Sequence, residues 1–339
     1  MNGILTISLD FELHWGGFEK WPLQVSGSGF QYYFLNTRKV IPAMLVLFEK
    51  YQIHVTWAGV GLLFHENKET LEKNIPAVKP SYVNRELSAY TYIEKHVIGE
   101  SENDDPFHYA HSLVKQILAT SHQELGSHTF SHFYCNEPGQ TVDQFRADLQ
   151  SAQTAAAMHG VELKSLVFPR NQFNDEYLKV CYEEGFEMVR SNPADWFWNI
   201  ESTEHEGRWK RLNRGLDAYF PLGNKKTYRL RDIEVREGFP LCLPASRLLR
   251  PYRPNEFLLN PLKLDRIKSE MKNAAQQGEV YHLWWHPHNF GNYPEQSLHA
   301  LEQLLKSFQK YSRQFGMESL NMGEVAARIR NHHGEKEAA

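Results

Sequence analysis

The sequence predicts an α/β protein whose strands form a parallel sheet. Two short apolar runs rich in β-branched residues, 4–9 and 53–58, flank a stretch of helical periodicity over 38–51. Alternating strand and helix signals are typical of strand–helix–strand units, in which consecutive strands are parallel. The alternation resumes after residue 110 and continues almost to the end of the chain. We therefore expect one large domain over residues 1–330.

The later elements are predicted from periodicity and from glycines. Helices that end close to a glycine, the residue that most readily adopts a left-handed conformation, are predicted over 142–158, 175–184 and 264–276. Periodicity alone predicts helices over 111–119, 294–314 and 322–330. Short apolar runs predict strands over 123–126, 166–168, 187–190 and 280–285. Outside this alternation we expect two rim insertions, 62–107 and 201–261, and a flexible tail, 331–339.

Composition and charge narrow the class of protein. The formal net charge is −4, with basic and acidic residues nearly balanced, so we expect no nucleic acid partner. Three scattered cysteines, Cys135, Cys181 and Cys242, form no C-x-x-C pair, which predicts a reducing compartment. We find no secretory signal and no apolar run of roughly 20 residues, so we expect a cytoplasmic protein without a membrane span. The sequence leaves the oligomeric state open.

Candidate metal ligands stand at the ends of two predicted strands. Asp10 and Glu12 end the first strand at i, i+2 spacing, and His128 and His132 follow the strand over 123–126. The carboxyl ends of parallel strands meet at one edge, where α/β barrels carry their active sites. Carboxylates and imidazoles bind zinc, and a bound ion can activate a water molecule. This pattern predicts a metal-dependent hydrolase.

Each half of this pattern also has a purely structural explanation. An H-x-x-x-H pair is expected about once by chance in a chain with 17 histidines, and His282 and His286 form a second one. Acids that follow strands often cap helices. We interpret His128 and His132 as neighbours on one side of a helical turn, where both rings can converge on one ion.

Four motifs carry a resemblance to a known family. They are Leu9-Asp10-Phe11-Glu12, Gly126-Ser127-His128-Thr129-Phe130-Ser131-His132, Val167-Phe168-Pro169-Arg170-Asn171 and Tyr281-His282-Leu283-Trp284-Trp285-His286-Pro287-His288-Asn289. They resemble motifs of the polysaccharide deacetylase family, also called carbohydrate esterase family 4 or the NodB-homology domain. The resemblance implies a distorted, incomplete (β/α)7-type barrel. It also implies removal of acetyl groups from N-acetylated carbohydrates with a divalent metal, most commonly Zn²⁺, with Co²⁺, Ni²⁺ or Fe²⁺ as alternatives.

The resemblance also implies roles for individual residues. Asp10 is expected to be the general base, and His286 the acid that protonates the leaving amine. The implied metal ligands are Glu12, His128 and His132. Arg170 is expected to pair with Asp10 and to hold it ionised.

Further residues are predicted to bind the substrate: Trp15, Asn171, Asp195, Trp196, Trp285, His288, Arg211 and Arg214. A backbone amide near Asn171 is expected to stabilise the oxyanion. Asp195 is interpreted either as tuning His286 or as capping a turn. The basic segment that carries Arg211 and Arg214 is either a solvated rim or a site for a phosphate-linked sugar, because arginine suits phosphate oxygens.

Two other classes of function stay open at this point. One is a different hydrolase, acting on a non-sugar amide or, as a glycosidase, using Asp10 with a second carboxylate. The other is a non-catalytic carbohydrate-binding protein that keeps the same fold.

Overall fold

The structure, a computed structural model, describes residues 2–23, 29–193, 195–198, 208–220, 223 and 225–337. The strands in these ranges are β1 (Ile4–Phe11), β2 (Val55–Gly59), β3 (Gln123–Ser127), β4 (Ser165–Val167), β5 (Met188–Ser191), β6 (Leu241–Pro244), β7 (Arg247–Leu248), β8 (Val280–Trp285) and β9 (Glu318–Ser319). The helices are α1 (Phe30–Tyr51), α2 (Lys68–Asn74), α3 (Ala89–Lys95), α4 (His111–Ala119), α5 (Val142–Ala157), α6 (Asp175–Glu183), α7 (Arg208–Leu216), α8 (Leu259–Gln277), α9 (Pro294–Phe315) and α10 (Met322–Glu337).

All nine strands join one sheet, and every strand pair in it is parallel. The order is β6-β5-β4-β3-β2-β1-β8-β7, and β9 pairs with the start of β1. The two outer strands, β6 and β7, are halves of one segment, 241–248, in which only two residues separate them. Because this segment pairs with β5 at its start and with β8 at its end, the sheet curls back on itself. The predicted α/β class and distorted, incomplete barrel are confirmed.

The barrel interior and the surrounding helices form the hydrophobic core. All eight residues of β1 and all six of β8 are buried, as expected for central strands covered on both faces. The long helices α1, α8 and α9 pack against one another around this part of the sheet. Helix α10 contacts β1, β2 and β5. This packing leaves the loops at the carboxyl ends of the strands to form the candidate site.

Several predicted boundaries differ from the structure. Helix α1 begins at Phe30 instead of residue 38, because Phe34 and Thr37 are buried against the core and packing extends the helix. Helix α8 begins at Leu259, before Pro261, since a proline in the first helical turn breaks no helical hydrogen bond. Helix α10 continues to Glu337, into the predicted flexible tail.

The two segments predicted as insertions have different structures. Residues 62–107 contain the short helices α2 and α3. Residues 201–261 contain helix α7 but also strands β6 and β7, which complete the sheet. The prediction of a rim insertion is therefore wrong for 241–248. The alternating period-two pattern of Leu241-Cys242-Leu243-Pro244 is short and is interrupted by proline, which weakens the strand signal in the sequence.

Candidate functional site

The predicted acids and histidines converge at the carboxyl ends of the strands. Asp10 is the penultimate residue of β1, and Glu12 follows that strand directly. His128 follows the end of β3, and His286 follows the end of β8. Because β8 and β3 lie on either side of the β1–β2 pair, their side chains reach one site.

Glu12, His128 and His132 form a buried three-residue cluster. Their candidate ligand atoms all lie within 4.8 Å of one another. Glu12 Oε2 is 3.2 Å from His128 Nε2 and 3.0 Å from His132 Nε2. Burial alone would raise the pKa of Glu12, but the charge of His286 and the hydrogen bond with His132 hold it well below its usual value. Glycine is required at position 16, since a Cβ there would overlap the Glu12 carboxyl group.

The loop that carries the two histidines is irregular, and the predicted helical turn is wrong. Thr129 and His132 both have left-handed backbone conformations, with φ of 63° and 59°. The buried carboxylate of Asp148 on α5 accepts hydrogen bonds from the amides of Phe130 (2.6 Å) and Ser131 (3.1 Å). These bonds hold the loop so that both rings face Glu12, which the sequence spacing alone does not specify.

The second ring nitrogen of each histidine is also engaged. His128 Nδ1 donates to the carbonyl oxygen of Val167 at 2.8 Å, which fixes the proton on Nδ1 in the neutral ring and leaves Nε2 as a lone pair. His132 Nδ1 lies 3.0 Å from the hydroxyl oxygen of Tyr134. The guanidinium of Arg170 lies over the Tyr134 ring, 3.9 Å from its centroid. Both histidines therefore have a fixed orientation towards Glu12.

Arg190, and not Arg170, pairs with Asp10. The guanidinium of Arg190 is fully buried and donates from Nη1 to Asp10 Oδ1 (2.5 Å) and from Nη2 to Oδ2 (2.8 Å). Burial alone would raise the pKa of Asp10, but the charges of Arg190 and His286 hold it below its usual value. Arg170 instead forms ion pairs with Glu19 and Glu137. The backbone of Arg170 is left-handed, with φ 54°, and it directs the side chain towards Glu19 and Glu137.

Arg190 crosses the barrel interior from β5 and is held by residues from two other strands, β1 and β8. Its Nη1 donates to Ser8 Oγ on β1 at 3.2 Å, and Ser8 Oγ also bonds His282 Nε2 on β8 at 2.9 Å. The Trp284 ring lies beneath the guanidinium, with Arg190 Cζ 4.3 Å from its centroid. His282 therefore helps to orient Ser8, which in turn contacts Arg190.

His286 lies beside both carboxylates. Its Nε2 is 3.5 Å from Asp10 Oδ2 and 3.6 Å from Glu12 Oε1. Asn289 Nδ2 lies 3.4 Å from His286 Nδ1, so an amide that donates there leaves the proton of the neutral ring on Nε2. The side chain is 26% exposed, far more than those of Asp10 and Glu12. It is therefore the member of the group that solvent reaches most readily.

Three residues predicted to contact substrate are core residues. Trp15 and Trp285 are completely buried, and His288 is almost so. Trp15 donates from Nε1 to the carbonyl oxygen of His108, and Trp285 stacks on Phe290. Burial lowers the pKa of His288 to about 3, which keeps the ring neutral. The prediction of substrate contact is wrong for these three, because aromatic periodicity cannot separate core from cleft.

The other predicted substrate-binding residues have different outcomes. The Asp195 carboxylate pairs with Lys226, and only its backbone carbonyl oxygen accepts the turn hydrogen bond from the Trp198 amide, so neither predicted role of this side chain is confirmed. The Asn171 amide donates to Phe168 O at 2.9 Å and is not free for an oxyanion.

The predicted residues of the basic segment also differ from one another. Arg214 Nη1 donates to Phe197 O at 3.0 Å, which engages the guanidinium inside the protein. Trp196 is 60% exposed, and its contact with substrate stays a prediction. The Arg211 side chain lies outside the described residues.

Two residues of the site were missed at the sequence level. Arg190, like Asp10, stands at the carboxyl end of a predicted strand. This position could have identified Arg190 as a candidate site residue. Tyr134 carries no comparable signal, because its hydroxyl reaches His132 only through the irregular loop.

Comparisons with known proteins agree with this architecture. A family model described as polysaccharide deacetylase matches residues 31–189, a range that includes His128 and His132 but not Asp10, Glu12 or His286. A search of curated proteins gave no match.

The fold is similar to that of several solved structures. One, described as a polysaccharide deacetylase from Mycobacterium smegmatis, has 14% identity and a TM-score of 0.61 over 98% of this chain and 92% of that one. Another deacetylase structure, from Pseudomonas aeruginosa PAO1, has 12% identity and a TM-score of 0.58 over 97% and 91%. The Puue allantoinase has 11% identity and a TM-score of 0.57 over 97% and 91%. At these identities the likeness concerns the fold.

The match to the family model over residues 31–189 and the shared fold confirm the resemblance that the motifs predicted: this part of the chain is similar to the polysaccharide deacetylases.

Proposed function

We propose that the protein is a metal-dependent hydrolase that removes an N-acetyl group from a carbohydrate. The observation that carries this proposal is the buried Glu12–His128–His132 cluster with a separate carboxylate, Asp10, beside it. A binding protein needs neither the ion pair that fixes Asp10 nor the histidine between the two acids. The carbohydrate and the acetyl group are inferred from the family match.

The cluster fits a divalent cation. His128 Nε2 is a lone pair, and it lies 3.2 Å from an oxygen of a carboxylate held in the charged form. Two such groups repel each other unless a positive charge lies between them. Two ligands bound tetrahedrally at 2.0–2.1 Å are about 3.3 Å apart, close to the separations within this cluster. Glu12, His128 and His132 would therefore hold the ion, with Zn²⁺ preferred and Co²⁺, Ni²⁺ or Fe²⁺ as alternatives.

Bound there, a divalent cation would polarise the amide carbonyl and lower the pKa of the attacking water from 15.7 towards about 7. Asp10 accepts the proton of that water on a carboxylate oxygen. Arg190 keeps Asp10 ionised and holds its two oxygens in place. The carboxylate is thus charged and positioned before substrate binds.

His286, in its protonated imidazolium form, supplies the proton for the leaving nitrogen from Nε2 and returns to the neutral ring. Its Nε2 lies on the side of the two carboxylates, and its partial exposure allows contact with a bound sugar. Transfer of this proton as the carbon–nitrogen bond breaks releases a free amino sugar, and the carboxylate product is acetate.

A second candidate is hydrolysis of a non-sugar amide, because the fold is similar to that of an allantoinase.

The glycosidase alternative is less compatible with the geometry. Both oxygens of Asp10 are bonded to Arg190, and the nearby acid, Glu12, faces two imidazoles. Such an enzyme needs two carboxylates across the cleft from each other.

An acetate-release screen tests the proposed function. Candidate substrates are N-acetylated sugars, nucleotide-linked sugars, which also test the predicted phosphate-linked class, and peptidoglycan fragments. Allantoin, whose hydrolysis releases no acetate, is tested in parallel by following its disappearance. We expect acetate release from at least one sugar, its loss after complete chelation, and recovery when Zn²⁺, Co²⁺, Ni²⁺ or Fe²⁺ is restored. Undiminished activity after chelation would contradict the metal role, and turnover of allantoin alone would favour the second candidate.

The Tyr134 hydroxyl is expected to tune the metal site. In Tyr134→Phe, His132 loses the partner of its Nδ1, so we expect the metal dissociation constant to rise about 10-fold. Competition with a chromophoric chelator measures this constant. Tyr109→Phe is the matched control, because it removes a hydroxyl bond to Gly99 O away from the cluster. An equal effect of both changes would show a general loss of stability instead.

We also propose a cytoplasmic location. Cys135, Cys181 and Cys242 are all free thiols, as expected in a reducing compartment. Among the residues that the structure describes, no helix is long and apolar enough to cross a membrane.

A further inference from the structure

A second group of metal-binding side chains lies at the opposite end of the barrel. His54 directly precedes β2, His122 directly precedes β3, and Glu324 is in the first turn of α10. Their candidate ligand atoms also lie within 4.8 Å of one another. The distance along the strands separates this group from the catalytic cluster, which follows the ends of β1 and β3.

The three side chains already contact one another. His54 Nδ1 lies 2.7 Å and 2.9 Å from the two carboxylate oxygens of Glu324. The rings of His54 and His122 are stacked, with centroids 4.0 Å apart and planes 3° from parallel. Two imidazoles and one carboxylate are a common set of three protein ligands for zinc. Three separate chain segments therefore bring the required donors together.

Local contacts fix two of the three donors. Glu324 Oε2 accepts from the backbone amide of Asn321 at 2.9 Å, and the Glu324 amide donates back to Asn321 Oδ1 at 2.9 Å. The His54 amide donates to Ser319 Oγ at 3.0 Å. His122 is exposed, and stacking on His54 is the ring contact described for it. The site is thus a fixed His–Glu pair with one adjustable histidine at the surface.

We propose that His54, His122 and Glu324 bind a second transition-metal cation of the zinc class. The ion takes the place of the proton that His54 shares with Glu324. Because stacked rings cannot direct both lone pairs to one point, His122 turns out of the stack to complete the site. Solvent fills the remaining position, since the group lies at the surface.

The ion would fasten α10 to the barrel. The start of this helix already lies on β2 and β3: the Met322 amide donates to Thr56 Oγ1 at 2.8 Å, and the Gly323 amide donates to Glu124 Oε2 at 3.0 Å. Coordination by Glu324 adds a link between the same helix and the residues that precede both strands. A ligand that binds only the folded state raises the melting temperature, and the rise grows with the logarithm of the free ligand concentration above the dissociation constant.

Equilibrium dialysis against zinc alone tests this site. The informative variant is His122→Asn, because asparagine tolerates the left-handed conformation of φ 64° at that position while the imidazole is lost. We expect His122→Asn to bind one zinc ion fewer than the unaltered protein. His299→Asn, which removes an exposed histidine of α9 bonded to Gln303, should bind the same number as the unaltered protein.

A second measurement separates this site from the catalytic cluster. In a His132→Ala background, zinc should still raise the melting temperature, and adding His122→Asn should abolish that rise. Equal zinc content in the unaltered protein and in His122→Asn would overturn the proposal. So would a melting temperature of His132→Ala that zinc does not change. Neither result would bear on the catalytic cluster.

Discussion

Replacement of Asp10 by asparagine is expected to reduce acetate release by about 10²- to 10⁴-fold, the usual contribution of a general base. Asparagine has nearly the same shape but cannot accept the proton of the attacking water. Asp10 lies beside the Glu12–His128–His132 cluster and is not part of it. The metal should therefore stay bound in Asp10→Asn.

The measurements for this variant are turnover and metal content in the same sample. Asp10→Asn leaves the buried charge of Arg190 without its partner, so some loss of stability is expected, and a thermal unfolding curve must show that the protein is folded. His132→Ala provides the complementary case, because it should lose both the metal and the activity. Retained turnover in folded, metal-loaded Asp10→Asn would remove Asp10 from the role of base.

Arg190→Met is expected to destabilise the protein by about 3–5 kcal/mol, because it leaves the Asp10 carboxylate buried and unpaired. Arg170→Met is the matched control. It removes an arginine from a half-buried rim where the partners are Glu19 and Glu137, and it leaves the Asp10–Arg190 pair intact. Urea unfolding of the two variants compares them directly. A larger loss in Arg170→Met would contradict the assignment of Arg190.

The same pair of variants should respond differently to pH. Asp10 has a lowered pKa in the folded protein, so its ionisation stabilises the fold above the unfolded pKa of about 3.9, and this contribution is lost as pH falls through the folded value. Without Arg190, burial dominates and the pKa rises. The acid limb of the pH–activity profile should then move to higher pH in Arg190→Met and stay unchanged in Arg170→Met.

The convergence of the candidate metal ligands could be predicted from the sequence because it depends on local features. Asp10, Glu12 and His128 stand at the ends of clear strands, and parallel strands place such ends together. The structure brings these predicted residues together, even though the reason given for His132 was wrong. The position of His132 depends on its left-handed backbone and on Asp148. The Asp148 carboxylate binds the amides of Phe130 and Ser131, which lie 18 and 17 residues before it in the sequence.

The partner of Asp10 could not be predicted in the same way. Arg190 is on β5, four places from β1 along the sheet, and it reaches Asp10 only because the sheet curves around a common interior. That curvature depends on 241–248, a segment that the sequence places in an insertion. Arg170, next to a proline in a familiar motif, offered the stronger sequence signal, but its local backbone points it towards Glu19.

Anomalous diffraction from crystals of the zinc-loaded protein tests the central claim most directly. We expect a peak about 2.0–2.2 Å from an oxygen of Glu12 and from Nε2 of both His128 and His132, with Asp10 nearby but not coordinated. An active, zinc-loaded protein with no peak among these three side chains would contradict the account.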